Sequence, residues 1–368
     1  MSSSGKRLFI VTNAMTPLNK SSEVTLSKFI RVVHNVYDEI TVAGGNVTLE
    51  KDLDFVHIES YEYLKNGNKL EKLRRMFKLQ KEVSNYLRDH VGKGDHVIFW
   101  LGDKMLLPFS TAKKKTDHVG YFVYGNLATE KKGSMAMNLS AKLVMHMANH
   151  ADRVFVESKS IRQEWGGQIK QETYDLHLYS DEIRFAPIEN RKNKIGMLCR
   201  LASVKHVIES INAFHLIHAK YNDWSLELIG SGVQEKECLD LIRELNAEDY
   251  IKVFGWMEKE KVGAITDEWK YGMLASDHEG LPNSVIELMG KGIPMIVHPV
   301  GGIPDLLKDE ENGFTLNGVT IECIQDGLKR ALEAKNYHEL SENAFETVYN
   351  KYTLKSAQED AAVILSNW

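Results

Sequence analysis

Two doubly wound α/β halves in tandem are the fold class this chain predicts, and three observations predict it. Apolar runs of strand length alternate with helical patterns along the whole chain, the mark of βαβ units and parallel sheets. The 368 residues exceed what a single core usually serves. A polar stretch, Glu189-Asn190-Arg191-Lys192-Asn193, separates one such series from a second. The division expected is therefore 1–187 for the first half and 188–350 for the second, with a terminal helix over 351–368.

In the first half, Leu8 to Thr12 is a compact apolar run and a good first parallel strand. The loop Asn13 to Ser22 leads to a helical pattern from Glu23 to Val36. Strand candidates follow at Ile40–Ala43, Phe55–Ile58, His96–Trp100, Val119–Val123 and Arg153–Val156. Ile183 to Ile188 reads as the last strand of this half. Between them, Lys69 to His90 keeps a helical period through Leu70, Leu73, Phe77 and Leu87 and carries Lys69, Lys72, Arg74, Arg75, Lys78, Lys81 and Arg88. Such a run is ordinarily a solvated face. The sharper reading is a surface for an anionic membrane or a lipid-phosphate acceptor, with Lys113-Lys114-Lys115 as a second cluster. In the second half the strands are expected at Lys194–Leu198, Ser225–Ile229, Tyr250–Phe254, Tyr271–Ala275 and Pro294–His298.

Composition narrows the function classes. Hydrophobic residues make up 43% and charged residues 26%, ordinary for a globular protein. A net charge of −5 argues against nucleic-acid binding by charge alone. The three cysteines, Cys199, Cys238 and Cys323, are scattered and odd in number, which fits free thiols in a reducing compartment. The front of the chain shows no signal-peptide core, and no apolar run is long enough to span a bilayer. The expected location is cytoplasmic, with peripheral membrane contact through the basic face as the open alternative. Asp52-Leu53-Asp54 could hold a divalent ion, but it precedes a first-half strand far from the phosphate motifs, and no metal or other cofactor is expected. His146/His150 and His215/His218 share helix faces without an obvious third ligand.

The stretch that carries chemistry is Ser276 to Glu287, read as strand end, loop and helix start. Pro282 and Asn283 suit a helix opening. Gly280 permits close approach of a ligand to the backbone. Glu279 and Glu287 flank the elbow with seven residues between them. Upstream, Ile195 to Lys205 is a strand running into a loop that offers Arg200 and Lys205. A guanidinium and an ammonium fixed beside a diphosphate stabilise the charge that develops when it leaves. Leu228 to Gly232 is a strand with a Gly-x-Gly turn at Gly230, a weak dinucleotide hint because the third glycine is absent.

The run Glu-Gly-Leu-Pro-Asn-Ser-Val-Ile-Glu at 279–287 resembles the Glu-x₇-Glu signature of the GT-B-fold retaining glycosyltransferases of family four, the glycosyl transferases group 1. Arg200-Leu201 to Lys205 is similar to that family's Gly-Arg-Leu-x-x-x-Lys segment, with Cys199 in place of the glycine. Ala151 to Ser158 matches Ala-Asp-x-Val-x-Val-x-Ser. Val300 to Asp305 resembles the Gly-Gly-x-x-Glu loop, with Asp305 for the glutamate. The resemblance is strong from 194 to 316 and loose before.

It implies two Rossmann-like domains facing across a cleft, the acceptor on the first and a nucleotide-sugar donor on the second, with the terminal helix packed back on the first. Arg200, Lys205 and Glu279 would be catalytic. Gly280, Leu281, Pro282, Asn283, Ser284, Glu287, Gly230, Trp256 and Met257 would hold the donor, Glu287 taking the ribose hydroxyls and Trp256 and Met257 the base. The first half departs from the family: Ser21-Ser22 stand where Gly-Gly is common, and Tyr124-Gly125-Asn126 where a histidine often contacts the donor sugar. Ser21, Ser22, Tyr124 and Asn126 are the acceptor-side candidates.

The activity implied is retaining transfer from a UDP- or GDP-sugar to a hydroxyl of a glycan or lipid-linked acceptor. A glycosidase-like pair of carboxylates is disfavoured because hydrolases lack the Arg/Lys diphosphate site. The alternatives are a sugar-nucleotide-binding module without activity, or a sugar-nucleotide epimerase on the same fold.

Overall fold

The computed structural model describes residues 5–15, 20–64, 66–123, 135–165 and 167–368, and the side chains of Lys20, Ser21, Glu164 and 135–140 are outside that description. The chain divides into two compact units, residues 1–179 together with 354–368, and residues 180–353. Each is built around one parallel sheet.

The first unit runs β1 (Arg7–Val11), α1 (Lys20–Val33), β2 (Glu39–Gly45), β3 (His57–Tyr61), α2 (Lys69–His90), β4 (His96–Phe99), α3 (Leu106–Lys115), β5 (Val119–Val123), α4 (Met135–His150), β6 (Arg153–Val156), α5 (Lys159–Glu164) and β7 (Thr173–Asp175). The strand order is β3-β2-β1-β4-β5-β6-β7, every pair parallel. The central strands β1, β4 and β5 are nearly continuous apolar runs because helices cover both faces of the sheet there. Leu8 and Ile10 of β1 pack on one side with Phe29, Ile30 and Trp100. Phe9 and Val11 pack on the other with Leu79, Val83, Phe99 and Tyr121. The period-two alternation of a strand thus feeds two cores.

The last helix of the chain, α12 (Leu354–Ser366), belongs to this unit. Ala357, Ala361 and Leu365 enter the core beside Leu8 and Phe155. Its final carbonyls are held by cations: Lys6 Nζ donates to the Leu365 carbonyl at 2.7 Å, and Arg153 donates to the carbonyls of Ile364 and Asn367. Positive charge at a helix C-terminus complements the dipole and satisfies acceptors the helix leaves open.

The second unit runs β8 (Lys192–Leu198), α6 (Val207–His218), β9 (Ser225–Ile229), α7 (Glu235–Glu244), β10 (Ile251–Gly255), α8 (Lys259–Thr266), β11 (Trp269–Leu274), α9 (Asn283–Met289), β12 (Met295–Val297), β13 (Gly313–Thr315), α10 (Ile321–Glu333) and α11 (Tyr337–Lys351). The order is β10-β9-β8-β11-β12-β13, again all parallel. Ile195, Met197, Leu226, Leu228 and Met273 form one core with Phe214 and Leu328. Leu274, Met295 and Val297 form the other with Val285, Leu288 and Tyr352.

Ile183 to Ile188 is not a strand. Arg184 and Ala186 donate to the carbonyls of Gly290 and Lys291, both at 3.0 Å. Pro187 has no N–H to continue a ladder, and a 3₁₀ turn begins at Ile188. The last strand of the first unit is instead Thr173–Asp175. Phe55–Ile58 is displaced: the strand there is His57–Tyr61. Among the described residues no helix is long and apolar enough to cross a membrane.

Candidate functional site

In a doubly wound sheet, the crevice outside the carboxyl ends of the strands, where the order reverses, is the place a ligand can enter. In the second unit the reversal lies between β8 and β11. The loop after β8 carries Arg200 and Lys205. The loop after β11 carries Ser276 to Pro282 and leads into α9. The turns after β9, β10 and β12, which carry Gly230, Trp256-Met257 and Val300 to Gly302, end on the same edge.

Three contacts tie the first two loops together. Asp277 N donates to the Val204 carbonyl at 3.0 Å. The Lys205 ammonium is ion-paired and hydrogen-bonded to the Glu279 carboxylate. Their side chains are only 14% and 10% exposed, so this pair lies in a medium of much lower effective dielectric than water. His206 Nε2 lies 2.8 Å from Asp277 Oδ1, and its Nδ1 lies 3.4 Å from Glu209. These are close approaches rather than aligned hydrogen bonds. His206 itself holds a left-handed backbone, φ +46°, which turns the chain from Lys205 into α6.

Backbone crowding at this edge accounts for its glycines. Gly230 has φ +139°, and a Cβ there would lie 1.9 Å from the Cys199 carbonyl oxygen. Only a bare backbone lets the β9 turn press against the residue before Arg200, an approach extended by the 3.0 Å bond from Leu201 N to the Ser231 carbonyl. Gly301 has φ +62°, and its Cβ would lie 2.1 Å from the Glu279 carbonyl oxygen. The neighbouring Gly302 N donates to the Gly280 carbonyl at 2.7 Å. The loop after β12 therefore braces the backbone under Glu279.

Arg200 is exposed and, among the described residues, has no acidic partner. Beside it the Cys199 thiol is kept neutral. Burial pushes its pKa up to about 12, Lys205 opposing the rise and Glu279 adding to it. Cys199 packs against both cores of the unit, so it is a spacer between the strand and the cations rather than a nucleophile.

The other predicted residues fall as follows. Leu281 and Pro282 are buried and Asn283 is exposed. Pro282 precedes α9 and accepts from Val285 at 3.0 Å through its carbonyl. Glu287 is half-buried in α9 and lines a small cavity of about 20 Å³ with Leu198, at the end of β8. Met257 packs on the core of α9, whereas Trp256 is 73% exposed.

Sequence reasoning gave no role to His206 or His298, nor to Ser276 and Asp277 within the stretch it singled out. His298 Nδ1 lies 2.8 Å from the Ser276 carbonyl oxygen, and the fully buried Ser276 hydroxyl has no partner among the described residues. For His206, Asp277 and Ser276 the signal was nearness in sequence to Lys205 and Glu279, which says nothing about pairing until the fold is known; His298 carried no such signal. Asp52 is taken up by Arg31, which donates to both of its oxygens at 2.6–3.0 Å and holds its carboxyl below the usual range. Among the described residues no group of three or more His, Cys, Asp or Glu is arranged to hold a metal ion.

In the first unit the order reverses between β1 and β4. A cavity of about 620 Å³ opens there, lined among others by Asn13, Ser22, Lys72, Trp100, Asp103 and Lys104. Asn13 donates to Asp103 and accepts from Lys104 N, which locks the two loops together. Ser22 thus reaches a cavity wall. Ser21 has its backbone in α1 but its side chain lies outside the description, and Tyr124, Gly125 and Asn126 lie outside the described residues.

Comparison with known proteins follows this division. Residues 180–347, a little under half of the chain, match the family described as Glycosyl transferases group 1. An uncharacterized glycosyltransferase of Haemophilus influenzae is 30% identical over 146 residues, 39% of this chain and 40% of that protein. The poly(glycerol-phosphate) alpha-glucosyltransferase of Bacillus subtilis is 22% identical over 379 residues, 98% of this chain and 52% of that protein. The chain thus spans about half or less of these relatives' own length. Among solved structures, HepE of Anabaena in complex with UDP and glucose superposes with a TM-score of 0.76 at 14% identity, covering 98% of this chain and 99% of that one. By fold the chain is therefore of the GT-B class, and its second unit is similar in sequence to the glycosyl transferases group 1.

Proposed function

We propose that the protein is a retaining glycosyltransferase that moves a sugar from a nucleotide diphosphate sugar, a UDP- or GDP-sugar, to a hydroxyl of a glycan or lipid-linked acceptor. The observation that carries this reading is the convergence of the Arg200–Lys205 loop and the Glu279 loop at the strand-order reversal of the second unit. HepE, similar in fold, is in complex with UDP and glucose, which favours a uridine donor.

The donor diphosphate lies against Arg200 and Lys205. In the free protein Lys205 is held by Glu279. A diphosphate with two negative charges draws the ammonium over, and Glu279 is left to accept from the sugar hydroxyls. Glu287, beside the end of β8, accepts from the ribose diol. The backbone of Gly280 to Ser284 brackets the sugar and phosphates, and the β9 turn at Gly230 lets them approach. Trp256 and Met257 flank the base, the exposed indole offering a ring face to stack on.

As the bond from the anomeric carbon to the diphosphate oxygen breaks, negative charge grows on the leaving group. Arg200 and Lys205 stabilise it without a metal. The acceptor oxygen bonds to the anomeric carbon on the face the diphosphate leaves, and the departing phosphate oxygen takes the acceptor proton. Configuration is retained with no protein nucleophile. The acceptor is assigned to the cavity of the first unit beside Ser22.

The test is transfer from a panel of UDP-, GDP- and ADP-sugars with the anomer followed by NMR. Arg200→Ala is expected to lower kcat by roughly 10²–10³, the scale for losing one preorganised charge-stabilising donor. A variant with undiminished turnover would remove Arg200 from the leaving-group role. Inversion at the anomeric carbon would refute retention. Donor conversion with no acceptor present would identify an epimerase.

A further inference from the structure

We infer that α2 is a membrane-docking helix, and that its outer face seats the first unit on a bilayer carrying anionic lipids. The helix is fixed at its start by a capping box between Asn68 and Glu71, so its first turns are ordered although little covers them. Leu79, Gln80, Val83 and Leu87 are its buried residues. Beside that buried stripe lies a second apolar stripe that the described residues leave more than half open: Leu70, Leu73 and Phe77 are 56%, 53% and 59% exposed. Their spacing of three and four places them on one line along the helix.

The charges are sorted around this line. At about 100° per residue, the arc reaching about 100° to either side of Phe77 also holds Lys69, Arg74, Lys78, Lys81 and Arg88, all exposed, and no carboxylate. The acidic residues Glu71, Glu82 and Asp89 fall on the opposite half. There Glu71 caps the helix and pairs with Arg75, Glu82 sits 3.7 Å from Lys78, and Asp89 accepts from Arg88 at 3.2 Å. An apolar strip edged by ammonium and guanidinium groups is what an interfacial helix presents, alkyl and ring carbon entering the acyl boundary while the cations meet lipid phosphates.

Charge complementarity selects the occupant. The chain is net negative at −5, so this basic face is a local concentration rather than the general character of the surface. A second copy docking through the same face would set five cations against the same five. An anionic headgroup layer meets them with the opposite sign, at a gain on the order of fivefold in partitioning per basic residue near the surface. The other flank of α2 carries Lys72 and Met76, which line the 620 Å³ cavity. Docking through the outer face therefore holds that cavity beside the lipid surface. The consequence for a lipid-linked acceptor rests on the transferase reading; the docking itself does not.

The experiment is co-sedimentation of the full chain, without donor or acceptor, with vesicles of equal phosphatidylglycerol and phosphatidylcholine and with vesicles of phosphatidylcholine alone. It is run at about 0.05 M and about 0.5 M salt, which brackets the screening range. Wild type is expected to sediment with the anionic vesicles at low salt and to be released at high salt. Reversal at Arg74→Glu, Lys78→Glu and Lys81→Glu is expected to lower partitioning by at least about 100-fold. Leu70→Ser, Leu73→Ser and Phe77→Ser together are expected to abolish sedimentation while circular dichroism stays unchanged, since these side chains are exposed in the folded unit. Wild type remaining in the supernatant with anionic vesicles at low salt overturns the inference. So does sedimentation that neither triple variant reduces. A dimer in analytical ultracentrifugation that the serine variant abolishes, with no lipid binding, assigns the stripe to a second copy instead.

Discussion

Glu279→Gln is expected to tighten UDP binding, although the residue is assigned to the donor site. The free protein already spends the Lys205 ammonium on Glu279. A diphosphate must take that ammonium away, so the measured affinity is the difference between two charge-assisted contacts. A hydrogen bond between charged groups contributes about 1.5–3 kcal/mol net. Part of that returns when Glu279, released from Lys205, is solvated or meets a sugar hydroxyl. Glutamine keeps the shape but holds Lys205 weakly, and about 1.4 kcal/mol of relief corresponds to a tenfold lower Kd.

Lys205→Met acts in the other direction. It removes the cation and leaves a poorly solvated carboxylate facing a polyanion, so the Kd rises by roughly tenfold or more. The double variant should lie between the two, and the cycle should show strong coupling. Isothermal titration with UDP at fixed ionic strength reads all four proteins, with near-UV circular dichroism as the check on folding. Weaker UDP binding by Glu279→Gln, or additive effects in the double variant, would show that Lys205 does not exchange between the two anions. With a full UDP-sugar the same variant should still turn over more slowly, since the sugar loses its acceptor.

The remaining expectations are narrower. Glu287→Ala should weaken UDP without affecting inorganic diphosphate, because it removes only the ribose contact; equal loss for both ligands in calorimetry would place Glu287 elsewhere. Gly301→Ala should destabilise the second unit and depress turnover, since its methyl would meet the Glu279 carbonyl oxygen at 2.1 Å; an unchanged melting temperature would refute the close approach. The Cys199 thiol, pushed up to about 12, should alkylate with iodoacetamide at pH 8 on the order of 10³ times more slowly than a free thiol of pKa about 8.5. His96 is held down to about 3 by burial and by Lys6, His118 and Arg153, so it stays neutral in the folded unit while the unfolded chain takes up a proton below about pH 6.5. Stability therefore falls as pH falls from that value toward 3, by about 2 kcal/mol between pH 7 and 5. Urea melts of wild type and His96→Gln should show a slope smaller in the variant by about that amount.

What could be read in advance follows from where each signal is stored. The α2 helix was legible from Lys69 to His90 because its period is local. The continuous apolar runs at Leu8–Thr12 and His96–Trp100 gave the central strands for the same reason. The strands Thr173–Asp175 and Gly313–Thr315 escaped because three residues with one large apolar side chain each carry no period. Ile183 to Ile188 deceived because an apolar composition alone shows neither burial nor ladder pairing: only Ala186 of the run is buried, and Pro187 has no N–H to pair.

The site divides along the same line. Arg200 with Lys205, and Glu279 with Glu287, are local spacings and stand out in the sequence. That Lys205 meets Glu279, 74 residues away, is a property of strand order. The chain lays β8, β9 and β10 outward in one direction, then returns β11 to the other side of β8, and only that reversal sets the two loops edge to edge. His206 and Asp277 became visible at the same step, since neither has a distinctive spacing of its own. A sequence can therefore name the groups that do chemistry at such a site, while the reversal of strand order decides which of them share a charge, and so which substitutions should strengthen binding rather than weaken it.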